Sequence, residues 1–151
     1  MNDLTDKFGD NLAVIGIPTN QFGHQTNESD QEVLNTLKYV RPGDGYEPKF
    51  TLTTKVAANG ASRHPVFEFL CEAITEPCDD KAGTGSSHII NGTLPQPILW
   101  EPVRRNDLGW NFEKFLVNQD GVPVRRYSPK FETKDLAADI EALIKDPKAF
   151  S

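Results

Sequence analysis

The spacing of apolar and polar positions divides the chain into short blocks of differing period. Near the N-terminus Leu4 and Phe8 stand four apart with Gly9 behind them, the edge and stop of a short helix. Leu12 to Ile17 is continuously apolar between Gly9-Asp10 and Pro18, which predicts a strand buried on both faces of a sheet. The period then becomes helical. Val33, Leu34, Leu37 and Val40 form an inward stripe, with Asn27 or Ser29 as the cap and Ser29 to Glu32 readable as a capping box. A short strand near Phe50 to Thr54 follows the turn-rich segment Arg41 to Gly45. A second helix is expected from His64-Pro65 to Ile74, with proline in its first turn.

Residues 76 to 96 are rich in Gly, Ser, Pro and Asp and carry no period, so they read as a long loop. At its exit Ile98, Leu99 and Trp100 make an apolar cluster expected to be exposed, a candidate subunit contact. Alternation returns at Asn111 to Val117 and again at Val122 to Tyr127, around a turn on Gln119, Asp120 and Gly121. This is a hairpin signal, because glycine takes the positive φ of such a turn without strain. A last amphipathic helix runs from Lys134 to Ile144, turning Leu136, Ile140, Leu143 and Ile144 inward.

At 151 residues this is an amount of chain suited to one domain. The formal charge of −6 argues against a nucleic-acid backbone as partner. No apolar run is long enough to suggest a membrane span, and Met1 to Lys7 has no signal-like apolar core, so a cytoplasmic protein is expected. Two cysteines are too few for a disulfide framework. On one continuous helix Cys71 and Cys78 would stand about 10 Å apart along the axis, beyond the reach of a bridge. Cys71 falls in the apolar rhythm of its helix and reads as a buried structural thiol. Cys78 precedes Asp79 and Asp80, whose charges disfavour a thiolate. His24, His64 and His88 lack metal-ligand spacing, so no metal site is expected. Asn27-Glu-Ser29 and Asn91-Gly-Thr93 match the glycosylation sequon, and helix capping is the better account of the first.

The hairpin carries the candidate chemistry. Trp110 and Asn111 at its entrance offer an indole N–H and an amide, while Arg125 and Arg126 on its return arm are fixed cations. Neutral donors at one end and cations at the other suit anions. The run WNFEKFLV at 110–117, DGVPVRRYS at 120–128, IPTNQFGHQ at 17–25 and KYVRPGDGYEPKF at 38–50 closely resemble, in order, the glutathione peroxidase family. The resemblance extends over essentially the whole chain.

That resemblance implies an α/β, thioredoxin-like fold and reduction of hydrogen peroxide and organic hydroperoxides by glutathione. It implies Gln21, Trp110 and Asn111 as members of a catalytic tetrad around a selenocysteine or cysteine, and Arg41, Arg125 and Arg126 as glutathione contacts. No further cofactor is implied. The family's nucleophile lies at the start of its first long helix, and Met1 to Leu4 resemble a later part of that helix, about three turns on. The chain is therefore expected to lack the nucleophile, the first strands and the start of the first helix. A selenocysteine codon taken as a stop, with the next methionine taken as a start, would produce such a chain. It would be inactive as given, and its open sheet would leave unpaired backbone groups and a slot where the missing strand belongs.

The helix after NQFG holds no second cysteine of the kind thioredoxin-using members carry, and the long 76–100 loop resembles the tetrameric, glutathione-using branch. The alternative reading is a non-catalytic thioredoxin-like module that binds glutathione or a partner subunit.

Overall fold

The computed structural model describes residues 1–79 and 97–150. Its elements are α1 (Asn2–Phe8), β1 (Ile15–Gly16), α2 (Asp30–Tyr39), β2 (Thr51–Leu52), α3 (Pro65–Ala73), β3 (Lys114–Val117), β4 (Pro123–Tyr127) and α4 (Leu136–Lys145). Local chemistry sets most of these boundaries. α1 stops at Gly9, whose φ of 52° is left-handed. α2 starts on Ser29 with the reciprocal capping box to Glu32, the Ser29 N–H donating to the Glu32 carboxylate at 2.8 Å. α3 has Pro65 in its first turn, and the His64 ring caps it by accepting from Val66 N–H at 3.3 Å.

The strands form two separate ribbons. β1 and β2 pair in parallel, Ile15 opposite Thr51. β3 and β4 pair antiparallel around Gly121, whose φ is 80°. The second edge of β1 meets no strand among the described residues, and Ile15 is 61 % exposed, so this strand is not covered on both faces as its composition suggests. α2 differs likewise: Val33 and Leu37 are half-buried, but Leu34 and Val40 face solvent, as does Ile144 on α4. Period alone predicts each of these positions to face inward, and among the described residues none of the three is covered. Trp100 departs in the other direction. It is buried, packing edge-on against Phe22 at 5.6 Å, while Ile98 and Leu99 remain exposed. The rest of the expected long loop, residues 80–96, lies outside the described residues, with Asp80, His88 and the Asn91 sequon.

The hairpin is a wall between two cores. Adjacent residues of a strand face opposite ways, so Phe115 packs on the cluster of Phe22, Phe67, Cys71 and Trp100, while Leu116 packs on that of Leu4, Tyr127, Leu136 and Ile140. In the second core Tyr127 is fully buried and its hydroxyl donates to the Asp139 carboxylate at 2.6 Å. Burial, followed by the hydrogen bond and charge of Asp139, pushes the phenol well above its ordinary value. A raised folded-state pKa contributes stability that is present below the unfolded value near 10 and is lost as pH rises past it, at about 1.4 kcal/mol per pH unit. Urea midpoints measured between pH 8 and pH 11 are therefore expected to fall more steeply for the parent chain than for Tyr127→Phe.

Candidate functional site

The C-terminal end of β1 delivers a loop that is fixed in detail. The Gln21 Oε1 accepts from Ala58 N–H at 2.7 Å and from Asn59 N–H at 2.8 Å, and its Nε2 donates to Asn59 C=O at 3.0 Å. The orientation of the amide is thereby determined, and one N–H of Nε2 has no acceptor among the described residues. Phe22 anchors the loop in the first core.

Residues 107–113 form the facing wall. The Trp110 ring lies 5.7 Å from Phe22, and its indole N–H has no acceptor among the described residues. Asn111 Nδ2 donates to Gln25 Oε1 at 2.8 Å. The loop of Gln21 and the segment of Trp110 and Asn111 thus meet across more than eighty residues of sequence. Phe112 follows at φ 64°, a conformation that costs a phenylalanine of order 1–2 kcal/mol, with its side chain 77 % exposed. This left-handed residue is why β3 begins at Lys114 and not at Asn111.

Both carboxylates in this wall are neutralised from behind. Asp107 is fully buried, pairs with Arg63, and accepts from Trp100 Nε1 and Arg104 N–H, each at 2.8 Å. Glu113 is buried against Arg126 at 2.7 Å and also accepts from Gly109 N–H. Burial pushes the Glu113 carboxyl up, with Arg126 opposing, and burial pulls the Arg63 guanidinium down. Donors backed by paired carboxylates present a surface that does not repel an anion.

The three arginines do not gather there. Arg126 is 2 % exposed on its side chain. Its Nε bonds Glu113, Nη1 bonds the carbonyls of Ile74, Thr75 and Asn106, and Nη2 bonds that of Asp107. Four of its five N–H donors are engaged by protein groups and the guanidinium is buried, so Arg126 is turned into the fold and not toward a surface where glutathione was expected to meet it. Arg125, one position earlier, is on the opposite face of the strand, with its guanidinium 4.3 Å from the Phe150 ring and beside the Cys78 thiol. Arg41 is exposed beyond the C-terminal end of α2, roughly 15 Å of helix from the end that is tied to Lys55.

Neither cysteine joins the donors. Cys71 is fully buried in α3 and burial raises its pKa; Cys78 is raised by burial too, with Asp79 adding to it and Arg125 opposing. Asn59, Arg63, Asp107 and Glu113 escaped the reading of the sequence. Only Asn59 carries a local hint, a polar residue in the run Ala57 to Ala61.

The family model described as glutathione peroxidase matches residues 1–71. Glutathione peroxidase 1 of Rattus norvegicus is 54 % identical over 145 residues, covering 95 % of this chain and 69 % of that protein. The Mus musculus and Bos taurus proteins of the same name are 53 % and 52 % identical over the same share of this chain, 69 % and 67 % of theirs. Among solved structures, Trgpx in its apo form aligns with a TM-score of 0.56 at 21 % identity, over 96 % of this chain and 65 % of that one. T. cruzi GPX1 aligns at 0.56 and 22 %, over 95 % and 67 %. At that identity the structural likeness speaks to the fold, a thioredoxin-like one of mixed helix and strand. The chain spans about two thirds of the length of these relatives.

Proposed function

Since the chain belongs to the glutathione peroxidase family, we propose that the meeting point of its two motif-bearing loops, at Gln21, Trp110 and Asn111, is the peroxide-reducing end of a glutathione peroxidase. Hydrogen peroxide or an organic hydroperoxide is reduced there to water or alcohol, and two glutathione thiols are oxidised to the disulfide. The observation that carries the reading is the Asn111–Gln25 hydrogen bond at 2.8 Å, which joins the two motifs that resemble the family most closely.

A thiolate or selenolate, when present, attacks one peroxide oxygen while the other leaves and takes up a proton. The work of this chain's own residues is to hold donors around that event. Gln21 keeps one free N–H on a fixed amide, the Trp110 indole N–H is unengaged among the described residues, and Asp107 and Glu113 are kept from adding negative charge. The nucleophile itself, selenocysteine in this proposal, is supplied by sequence other than these 151 residues, because Cys71 is buried and Cys78 stands with Arg125 on the far face of the hairpin. Of the three arginines, exposed Arg41 is the cation that remains for glutathione's carboxylates, since Arg125 stands on the far face against Phe150.

Association into a tetramer through residues 76–100 belongs to the same proposal, supported at its described end by Ile98 and Leu99, each 39 % exposed. Residence in the cytoplasm is supported by two unpaired cysteines.

The test is a coupled assay that follows glutathione disulfide formation. The chain alone is expected to give no turnover above the blank. Preceded by the N-terminal portion of the rat relative, it is expected to turn over both hydrogen peroxide and an organic hydroperoxide. Activity of the chain alone that survives replacement of Cys71 and Cys78 would overturn the assignment of the nucleophile. A folded chimera that binds glutathione without turnover would favour the non-catalytic module.

A further inference from the structure

We infer that Asn59 sets the spacing between the two donor loops, a positioning residue of the peroxide-reducing site proposed above, on which reading its role depends. Asn59 is 1 % exposed and lies in neither loop. Its backbone holds one of them: N–H donates to Gln21 Oε1 at 2.8 Å and C=O accepts from Gln21 Nε2 at 3.0 Å. Its side chain holds the other. Oδ1 accepts from Leu108 N–H at 2.9 Å and Nδ2 donates to Leu108 C=O at 3.0 Å, two residues before Trp110.

A carboxamide that reads both the N–H and the C=O of one residue cannot rotate without losing both bonds. The grip on Leu108 is therefore a two-point one, like the grip of the backbone on Gln21. Arg63 Nη2 braces the same Oδ1 from behind at 3.2 Å while pairing with Asp107. Other links between the loops are weaker. Phe22 and Trp110 touch through their rings alone, and the Asn111–Gln25 bond is exposed. Asn59 is the one residue in the described chain that hydrogen-bonds the Gln21 amide and the segment leading into Trp110 together.

The chemistry admits few substitutes. Asp keeps the acceptor for Leu108 N–H but turns an anionic oxygen toward Leu108 C=O, Ala removes both contacts, and Gln is longer by a methylene in a fully buried place. The side-chain and backbone roles are also separable. Replacing the side chain frees the Trp110 arm and leaves the backbone hold on Gln21.

The ¹⁵N-labelled chain provides the readout. In Asn59→Ala, Leu108 N–H exchange is expected to accelerate about tenfold or more. The Trp110 indole and Asn111 side-chain resonances are expected to shift, and the Gln21 carboxamide to stay in place. Leu136→Ala, in the second core, is expected to lower the urea midpoint without moving those resonances. In Asn59→Asp the indole resonance is expected to be displaced at pH 7 and to return as the introduced carboxyl protonates and regains a donor for Leu108 C=O.

Unmoved Trp110 and Asn111 signals in Asn59→Ala, equal movement in Leu136→Ala, or no recovery of Asn59→Asp on acidification would each overturn the inference. If Asn59→Ala does not fold, the acid recovery of Asn59→Asp decides. Failure of the peroxidase reading is distinct, since it would show as absent turnover by the chimera in the coupled assay while these resonances behave as expected.

Discussion

Replacing Arg126 with alanine is expected to destabilise the chain by about 3–5 kcal/mol, a large part of what a domain of this size has in reserve. The guanidinium closes four separate stretches onto one point: the end of α3, residues 106–107, Glu113 and β4. Its removal orphans four carbonyls and strands Glu113, 3 % exposed on its side chain, without a counter-ion. That carboxyl already sits above its usual range because of burial, with Arg126 opposing. Without the arginine it rises further, and its contribution is present at acid pH and lost as pH climbs above about 4.5. The deficit of Arg126→Ala in urea titrations should therefore be larger at pH 8 than at pH 5, and Glu113→Gln in the same chain should recover part of it at pH 8. Arg125→Ala loses a stacking contact with Phe150 and is expected to cost about 1 kcal/mol or less. Were Arg126 instead a ligand contact, its alanine variant would keep the parent urea midpoint and lose only glutathione affinity.

The contrast between these neighbours marks where sequence and fold part company. Signals confined to a few residues were legible: the Ser29–Glu32 capping box, Pro65 in the first turn of α3, and Gly121 in the hairpin turn all stand where pattern put them. So was the burial of Cys71, because a single helix period decides it. What sequence left open depends on partners far along the chain. Adjacent arginines look like one basic patch, yet a strand's period of two sends them to opposite faces, and only the presence of Glu113 and four carbonyls on one face makes Arg126 structural. Leu34, Val40 and Ile144 carry the right period for burial yet face solvent, because period fixes which residues share a face and not whether a neighbour packs on it. At the site, motif identity picked out Gln21, Trp110 and Asn111 but not Asn59, whose bonds to Leu108 span forty-nine residues.

In the chimera with the N-terminal portion of the rat relative, Trp110→Phe is expected to lower kcat/KM for peroxide by about 10²–10³, the usual effect of removing one aimed donor from a site where charge develops. Phenylalanine keeps most of the ring that packs on Phe22 at 5.7 Å and removes the one N–H that has no acceptor among the described residues, so packing changes little while the donor is lost. Gln21→Ala is expected to fall in the same range, since its amide is held by three hydrogen bonds and its remaining N–H costs no reordering to use. Asn111→Ala should show a loss of similar size together with a looser 20–25 loop, because its Nδ2 also holds Gln25.

All three should act on the peroxide-dependent half-reaction, measured at saturating glutathione. Arg41→Ala should act instead on the glutathione-dependent half, because that side chain is exposed and stands at the other end of α2. Loss in the wrong half-reaction, or a Trp110→Phe enzyme within about threefold of the parent, would mean that donors meeting in this place are not the ones that stabilise the leaving oxygen. The separation is informative because both halves share one nucleophile but not one charge distribution: the first expels an oxygen anion, and the second draws in a ligand bearing two carboxylates.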